Sequence, residues 1–242
     1  MTALLLTQRL VALSVLLQTI ELGRLRGAVS DQGIWPWQVL RDDFEGCPGW
    51  VRRVLDLTLA YPNFLGLLAL QALASLALFW WLGAAPVLVL TTVLISLRWR
   101  GAFNGGSDYM TVTVLLALAV AAIVHHPVMT LACLWYVALQ CCLSYFVAGI
   151  VKLNRANWRN GRALSAFTGG RLGPPRAARL SWAVIGFQCA FPLVLLVPEL
   201  GPVFVLGAVG FHLANFYFLG LNRFFWAWLA TYPALFYCAG YR

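Results

Sequence analysis

Residues 128–151 read VMTLACLWYVALQCCLSYFVAGIV, a run without a single charge that ends against Lys152. A helix needs roughly 20 consecutive apolar residues to cross a bilayer, so this stretch alone has the length and chemistry of a membrane span. The rest of the chain follows it. The 242 residues are 62% hydrophobic and only 10% charged, and the mean hydropathy of +0.80 lies outside the range of water-soluble domains. Working outward from 128–151, further candidate spans lie at residues 3–20, 63–82, 84–97, 109–124, 181–197, 203–220 and 224–239. The sequence therefore predicts an all-α polytopic membrane protein: about eight transmembrane helices in one bundle, a single domain over residues 1–242 with no soluble C-terminal domain.

The stretch at 84–97 is short. It either borrows from Arg98, Trp99 and Arg100 by snorkelling or forms a hairpin with the stretch before it across Gly83, Ala84, Ala85 and Pro86. The first stretch reads as a retained helix, because Ile20 is followed by Glu21, Leu22, Gly23 and Arg24 and not by a small-residue cleavage site. Cys133, Cys141, Cys142, Cys189 and Cys238 fall inside predicted spans without metal-ligand spacing, which makes them small apolar packing residues, and Cys47 alone sits in a loop.

Charge sets the orientation. In an eight-helix topology the odd-numbered connections emerge on one face, and that face carries 15 of the 17 basic residues, leaving Arg9 and Arg242 on the other. These loops are short, so the positive-inside rule puts the basic loops in the cytoplasm and both termini outside. The net charge of +9 is thus a topology signal. No nucleic-acid partner is expected, since no basic stripe with interleaved aromatics lies in a soluble module. The first basic loop, with Ile34, Trp35, Trp37 and Trp50 around Arg41–Glu45, is expected to lie along the membrane interface.

An ionisable group at membrane depth costs at least ~2.5–3.5 kcal/mol, so each one is a candidate site residue. Arg9, Asp108, Lys152 and His212 qualify, with Asn104 and Asn215 as polar helpers. Lys152 is the only lysine among 17 basic residues. Two readings are open. Arginine cannot lose its proton whereas a desolvated lysine can, so the amine suits a base or nucleophile. It equally suits a snorkelling cation at the end of a helix, where the dipole welcomes positive charge. His212 and Asn215 are three apart, on one helical face, and serve either proton exchange or an interhelical hydrogen bond. Asn104, Gly105, Gly106, Ser107 and Asp108 precede the helix at 109–124, with Ser107 or Asp108 placed to cap it and backbone N–H groups free to hold an anion. The adjacent His125 and His126 read as an interfacial loop, and no metal site is expected. No phosphate loop, dinucleotide fingerprint or nucleophile elbow is present, so any chemistry is intramembrane.

Three stretches carry a resemblance: Tyr145–Leu153 followed by Trp158 and Gly161; Phe211–Asn215; and Phe103–Tyr109. They resemble the HTTM (horizontally transferred transmembrane) family, which includes the vitamin K-dependent gamma-glutamyl carboxylase, and the likeness extends through essentially the whole chain. Ser30–Gly33 is similar to the bacterial members. The resemblance implies an integral protein of the bacterial inner membrane. It also implies an enzyme in which Lys152 deprotonates a reduced quinone of vitamin K or menaquinol type, with O2 and CO2 as co-substrates. His212 would assist, and Asn104, Asp108, Asn215, Trp158 and Arg9 would line the pocket. The acceptor would be a peptide, a lipid or another small molecule. The alternative is a non-catalytic membrane protein that binds a quinone, lipid or peptide in maturation, export or immunity. The carboxylase carries a large substrate-recognition domain after its membrane region, and this chain stops at Arg242, which argues against carboxylation of a propeptide-bearing protein.

Overall fold

A computed structural model describes residues 2–99 and 105–240, and all regular structure among them is helical. The longer helices are α1 Thr2–Arg24, α2 Gly49–Leu59, α3 Asn63–Leu78, α4 Ala85–Arg98, α5 Gly105–Val124, α6 Pro127–Leu153, α7 Pro174–Ala190, α8 Gly201–Leu219, α9 Asn222–Leu229 and α10 Tyr232–Cys238. Proline starts several of them. Pro86, Pro127, Pro174, Pro202 and Pro233 occupy the first or second helical position, where a missing N–H costs nothing. Gly220, left-handed at φ 68°, closes α8, with its own N–H donated to Phe216 O at 2.9 Å.

Among the described residues four helices are long and apolar enough to cross a membrane: Thr2–Arg24, Gly106–Val124, Pro127–Leu153 and Pro198–Leu219. The pair α2 and α3 would make a fifth span, but it is bent by 77°. The other stretches predicted from the sequence are shorter or broken. α4 has 14 residues. The stretch at 181–197 runs from within α7 into a single turn, Leu193–Leu196, and the one at 224–239 is divided between α9 and α10. Pro192 and Pro233 sit at the two breaks, where a residue without an N–H cannot continue a helix.

The backbone forms two compact units, Gln8–Met129 and Thr130–Arg242 with Met1–Thr7. Gln8–Met129 buries hydrogen-bonded amides and hydroxyls within a mainly apolar core and leaves large aliphatic side chains exposed. Gln71 Nε2 donates to Thr92 Oγ1 at 3.1 Å, Gln18 Nε2 donates to Asp108 Oδ1 at 3.1 Å, and Gln8 Nε2 donates to Leu78 O. Leu73, Leu90 and Ile123 meanwhile stand 61–69% exposed. So many large aliphatic side chains at the surface are unusual for a water-soluble domain.

The loop after α1 folds onto α2 and α4. Trp37 Nε1 and Arg41 Nη2 donate to the two oxygens of Asp56, each at 2.8 Å, and Trp37 packs with Leu22, Val29, Leu55, Leu59, Phe64, Ile95 and Trp99. α2 leaves Trp50, Val54 and Leu57 exposed on one side. Arg98, which on one of the two readings of this short stretch would snorkel outward, is 1% exposed. Its Nε donates to Leu59 O at 3.1 Å and its Nη2 to Val29 O at 2.6 Å, with Cζ 5.8 Å from the Phe64 ring centre. Carbonyls at the end of α2 and in the turn Arg26–Val29 thus accept from two of the three guanidinium nitrogens, while Nη1 has no hydrogen-bond partner among the described residues.

In the other unit α6 buries one helical stripe, Cys133, Val137, Cys141, Tyr145 and Gly149. It comes closest to α7 at Gly149, where a Cβ would sit 2.7 Å from Cys189 Sγ. Two short helices, Ala156–Arg159 and Arg162–Phe167, lead from α6 to α7. Gly161 between them has φ 77°, and a Cβ there would lie 2.3 Å from Ala178 N. Only glycine meets both demands. All six cysteines are free thiols.

Candidate functional site

Tyr145 stands at the centre of the unit Thr130–Arg242. Its ring stacks on Phe191 at 3.9 Å, and its hydroxyl lies 2.7 Å from His212 Nε2 and 2.9 Å from Tyr232 Oη. This joins α6, α8 and α10. His212, 2% exposed, is also flanked by Trp228 at 5.1 Å and Phe224 at 6.2 Å between ring centres. Its Nδ1 has no hydrogen-bond partner among the described residues. Beside the cluster Thr231 Oγ1 lies 3.2 Å from Cys141 Sγ and donates to Trp228 O at 2.7 Å. The hydroxyl–imidazole chain ties three helices together where neighbouring rings exclude other partners. Such an interhelical bond contributes about 0.6 kcal/mol on average.

Lys152 lies in the last turn of α6. Its Nζ sits 4.9 Å from the Trp158 ring centre and 3.4 Å from Ala148 O, one turn back in its own helix. Both neighbours favour an ammonium: the ring face through its quadrupole, the carbonyl as an acceptor. Trp158 reaches this position because the chain turns back at Asn154 and Arg155 into the helix Ala156–Arg159.

A third feature is a groove of about 570 Å³ between α7, α8 and the segment that precedes α7. One face of α7 (Leu180, Val184, Phe187) opposes one face of α8 (Gly207, Gly210, Phe211, Ala214). Asn215 and Arg171 also line it. It exists because α8 carries glycine on this face. A Cβ at Gly210 would meet nothing within 4 Å, and one at Gly207 would reach the edge of the Phe187 ring at 2.9 Å. The volume is that of a site for a small organic molecule.

The candidate residues named from the sequence divide as follows. Lys152 and Trp158 are brought together. His212 and Asn215 share α8 and diverge, His212 into the ring cluster and Asn215 into the groove. Asp108 belongs to the unit Gln8–Met129, where it is buried in the first turn of α5 and accepts from Gln18. Ser107 and Asp108 lie inside α5, which begins at Gly105, three residues earlier than a cap at Ser107 would require and four earlier than one at Asp108. Arg9 is exposed on α1 in that same unit. Asn104 lies outside the described residues. Near His125, His126 Nδ1 accepts the Val128 N–H at 3.2 Å at the start of α6. Among the described residues no three His, Cys, Asp or Glu side chains gather as a metal-ligand set.

Sequence reasoning missed Tyr232, Trp228 and Arg171. Only the groove had left a signal, the small residues Gly207, Gly210 and Ala214 recurring on one face of α8. Comparison with family models, curated proteins and solved structures gives no match.

Proposed function

We propose that this chain is an integral membrane protein that binds an apolar or amphiphilic small molecule of the quinone or lipid class, without transforming it. The observation that carries this reading is the groove beside α8, walled by apolar side chains and opened by Gly207 and Gly210. Membrane insertion is supported by the four long apolar helices and by large aliphatic side chains turned outward over buried amides and hydroxyls. Eight spans, basic loops in the cytoplasm and both termini outside belong to the same proposal. In intact cells Cys47 should resist a membrane-impermeant maleimide and react after permeabilisation; labelling beforehand reverses the orientation.

Organic extraction of the purified protein should release a stoichiometric quinone or lipid, and Gly210→Leu, which fills the groove, should lose it. A folded parent that yields nothing overturns the binding reading. The second reading, an intramembrane enzyme with Lys152 as base, rests on the half-buried amine against Trp158. It requires oxygen-dependent oxidation of a reduced naphthoquinone that falls by about 10² to 10⁴ in Lys152→Arg, the worth of a positioned general base. The binding reading expects no such turnover and unchanged ligand content in the same variant.

A further inference from the structure

The groove has two unlike ends. Phe187 and Gly207 meet at one end, with nothing ionisable lining it, and α8 runs from there to Leu219, twelve residues or about 18 Å further. Near that other end the segment before α7 supplies Arg171, an exposed side chain three residues ahead of Pro174. Arg176 and Arg179 follow in the first turns of α7 and are also exposed. The groove therefore runs from a hydrocarbon-like interior to a cationic mouth.

The unit offers that mouth almost no anion of its own. Between Thr130 and Arg242 the basic residues are Lys152, Arg155, Arg159, Arg162, Arg171, Arg176, Arg179, Arg223 and Arg242, while Glu199 is the only acidic one. Glu199 lies just before α8, at the opposite end of that helix from Leu219. No ion pair to Arg171 occurs among the described residues. A guanidinium presents a fork of donors suited to phosphate oxygens, and α7 begins beside it, adding the positive end of a helix dipole.

We propose that the groove is a binding site for an anionic phospholipid, one acyl chain lying along Gly207, Gly210 and Ala214 and the phosphodiester meeting Arg171. This rests on the binding reading above and narrows it from quinones and lipids to one charged class. A neutral quinone would fill the apolar length and leave Arg171 unused.

The test uses the full chain purified in detergent, with lipid retention read by native mass spectrometry. Dioleoyl phosphatidylglycerol and dioleoyl phosphatidylcholine are the two probes. Both lipids offer Arg171 a phosphodiester, but choline sets a second cation against Arg171, Arg176 and Arg179, so phosphatidylglycerol, with net negative charge, is expected to bind about tenfold tighter or more. Arg171→Gln should remove that preference by weakening phosphatidylglycerol far more than phosphatidylcholine, while Arg171→Lys should retain most of it. Gly210→Leu should abolish retention of both lipids. It places its side chain in open space and replaces glycine with a better helix former, so the helix itself should be undamaged. Equal affinity for the two lipids, or an unchanged preference in Arg171→Gln, overturns the anionic assignment while leaving the groove a binding site. Retention that ignores Gly210→Leu in a folded protein removes the groove from both proposals.

Discussion

The two compact units tie their buried helix faces together with different chemistry. Gln8–Met129 uses amides, hydroxyls and one guanidinium: Gln18 on Asp108, Gln71 on Thr92, Arg98 on the carbonyls of Leu59 and Val29. Thr130–Arg242 uses rings, with Tyr145, Phe191, His212, Phe224 and Trp228 in mutual contact. Helix exposure differs in the same sense: the apolar stretch of α5 is 61% buried and that of α8 only 17%. Directional hydrogen bonds fix how helices are rotated and spaced. Rings fill volume without directional bonds, and beside α8, where a Cβ at Gly210 would meet nothing within 4 Å, they leave the groove. Polar pairs hold the helices of the first unit in register, and the ring-packed unit contains the groove.

Three experiments can break or sharpen this contrast. The largest effect is expected from Phe191→Ala, since Phe191 is fully buried and stacked on Tyr145. Loss of a buried ring should cost about 3–5 kcal/mol, read as a lowered midpoint in detergent unfolding. A loss below about 1 kcal/mol would mean that the ring cluster does not hold this unit together. Next comes Arg98→Met, which keeps the apolar stem and removes the donors to Leu59 O and Val29 O. A cost of about 1–3 kcal/mol is expected, with faster amide exchange confined to the loop after α1 and to α2. Uniform acceleration across the protein would show that Arg98 supports far more than this loop. The smallest effect is the coupling between Gln71 and Thr92. A double-mutant cycle with Gln71→Leu and Thr92→Val should give about 0.6 kcal/mol and no more than about 1.7. Zero coupling would leave the Gln71–Thr92 hydrogen bond without an energetic role.

Much of the helical layout was legible in advance. The stretch at 128–151 became α6 with only one or two residues added at each end, and the one at 203–220 became α8. Where spans were read too long, the sequence carried the signal in Pro192 and Pro233, since hydropathy averaged over a window passes across a proline that the backbone cannot. The candidate site was less legible. Lys152 and Trp158 were named together and do touch. His212 and Asn215, placed together by their spacing, end in different surroundings, because a separation of three residues rotates a side chain by about 60° around the helix axis.

What the sequence by itself determined is the inventory: apolar runs of spanning length, their ends at proline, glycine and charge, and the gathering of arginine in a few loops. These are local properties, set by backbone chemistry and by the cost of burying charge. Only the tertiary structure decided which side of each helix faces inward. Tyr145 is buried whereas Tyr136 and Tyr217, in helices just as apolar, are 41% and 79% exposed. In a helix apolar on every side no periodic pattern marks the inner face. That face is chosen by what packs against it: Phe191 on Tyr145, two backbone carbonyls around Arg98, and, at Gly210, open space.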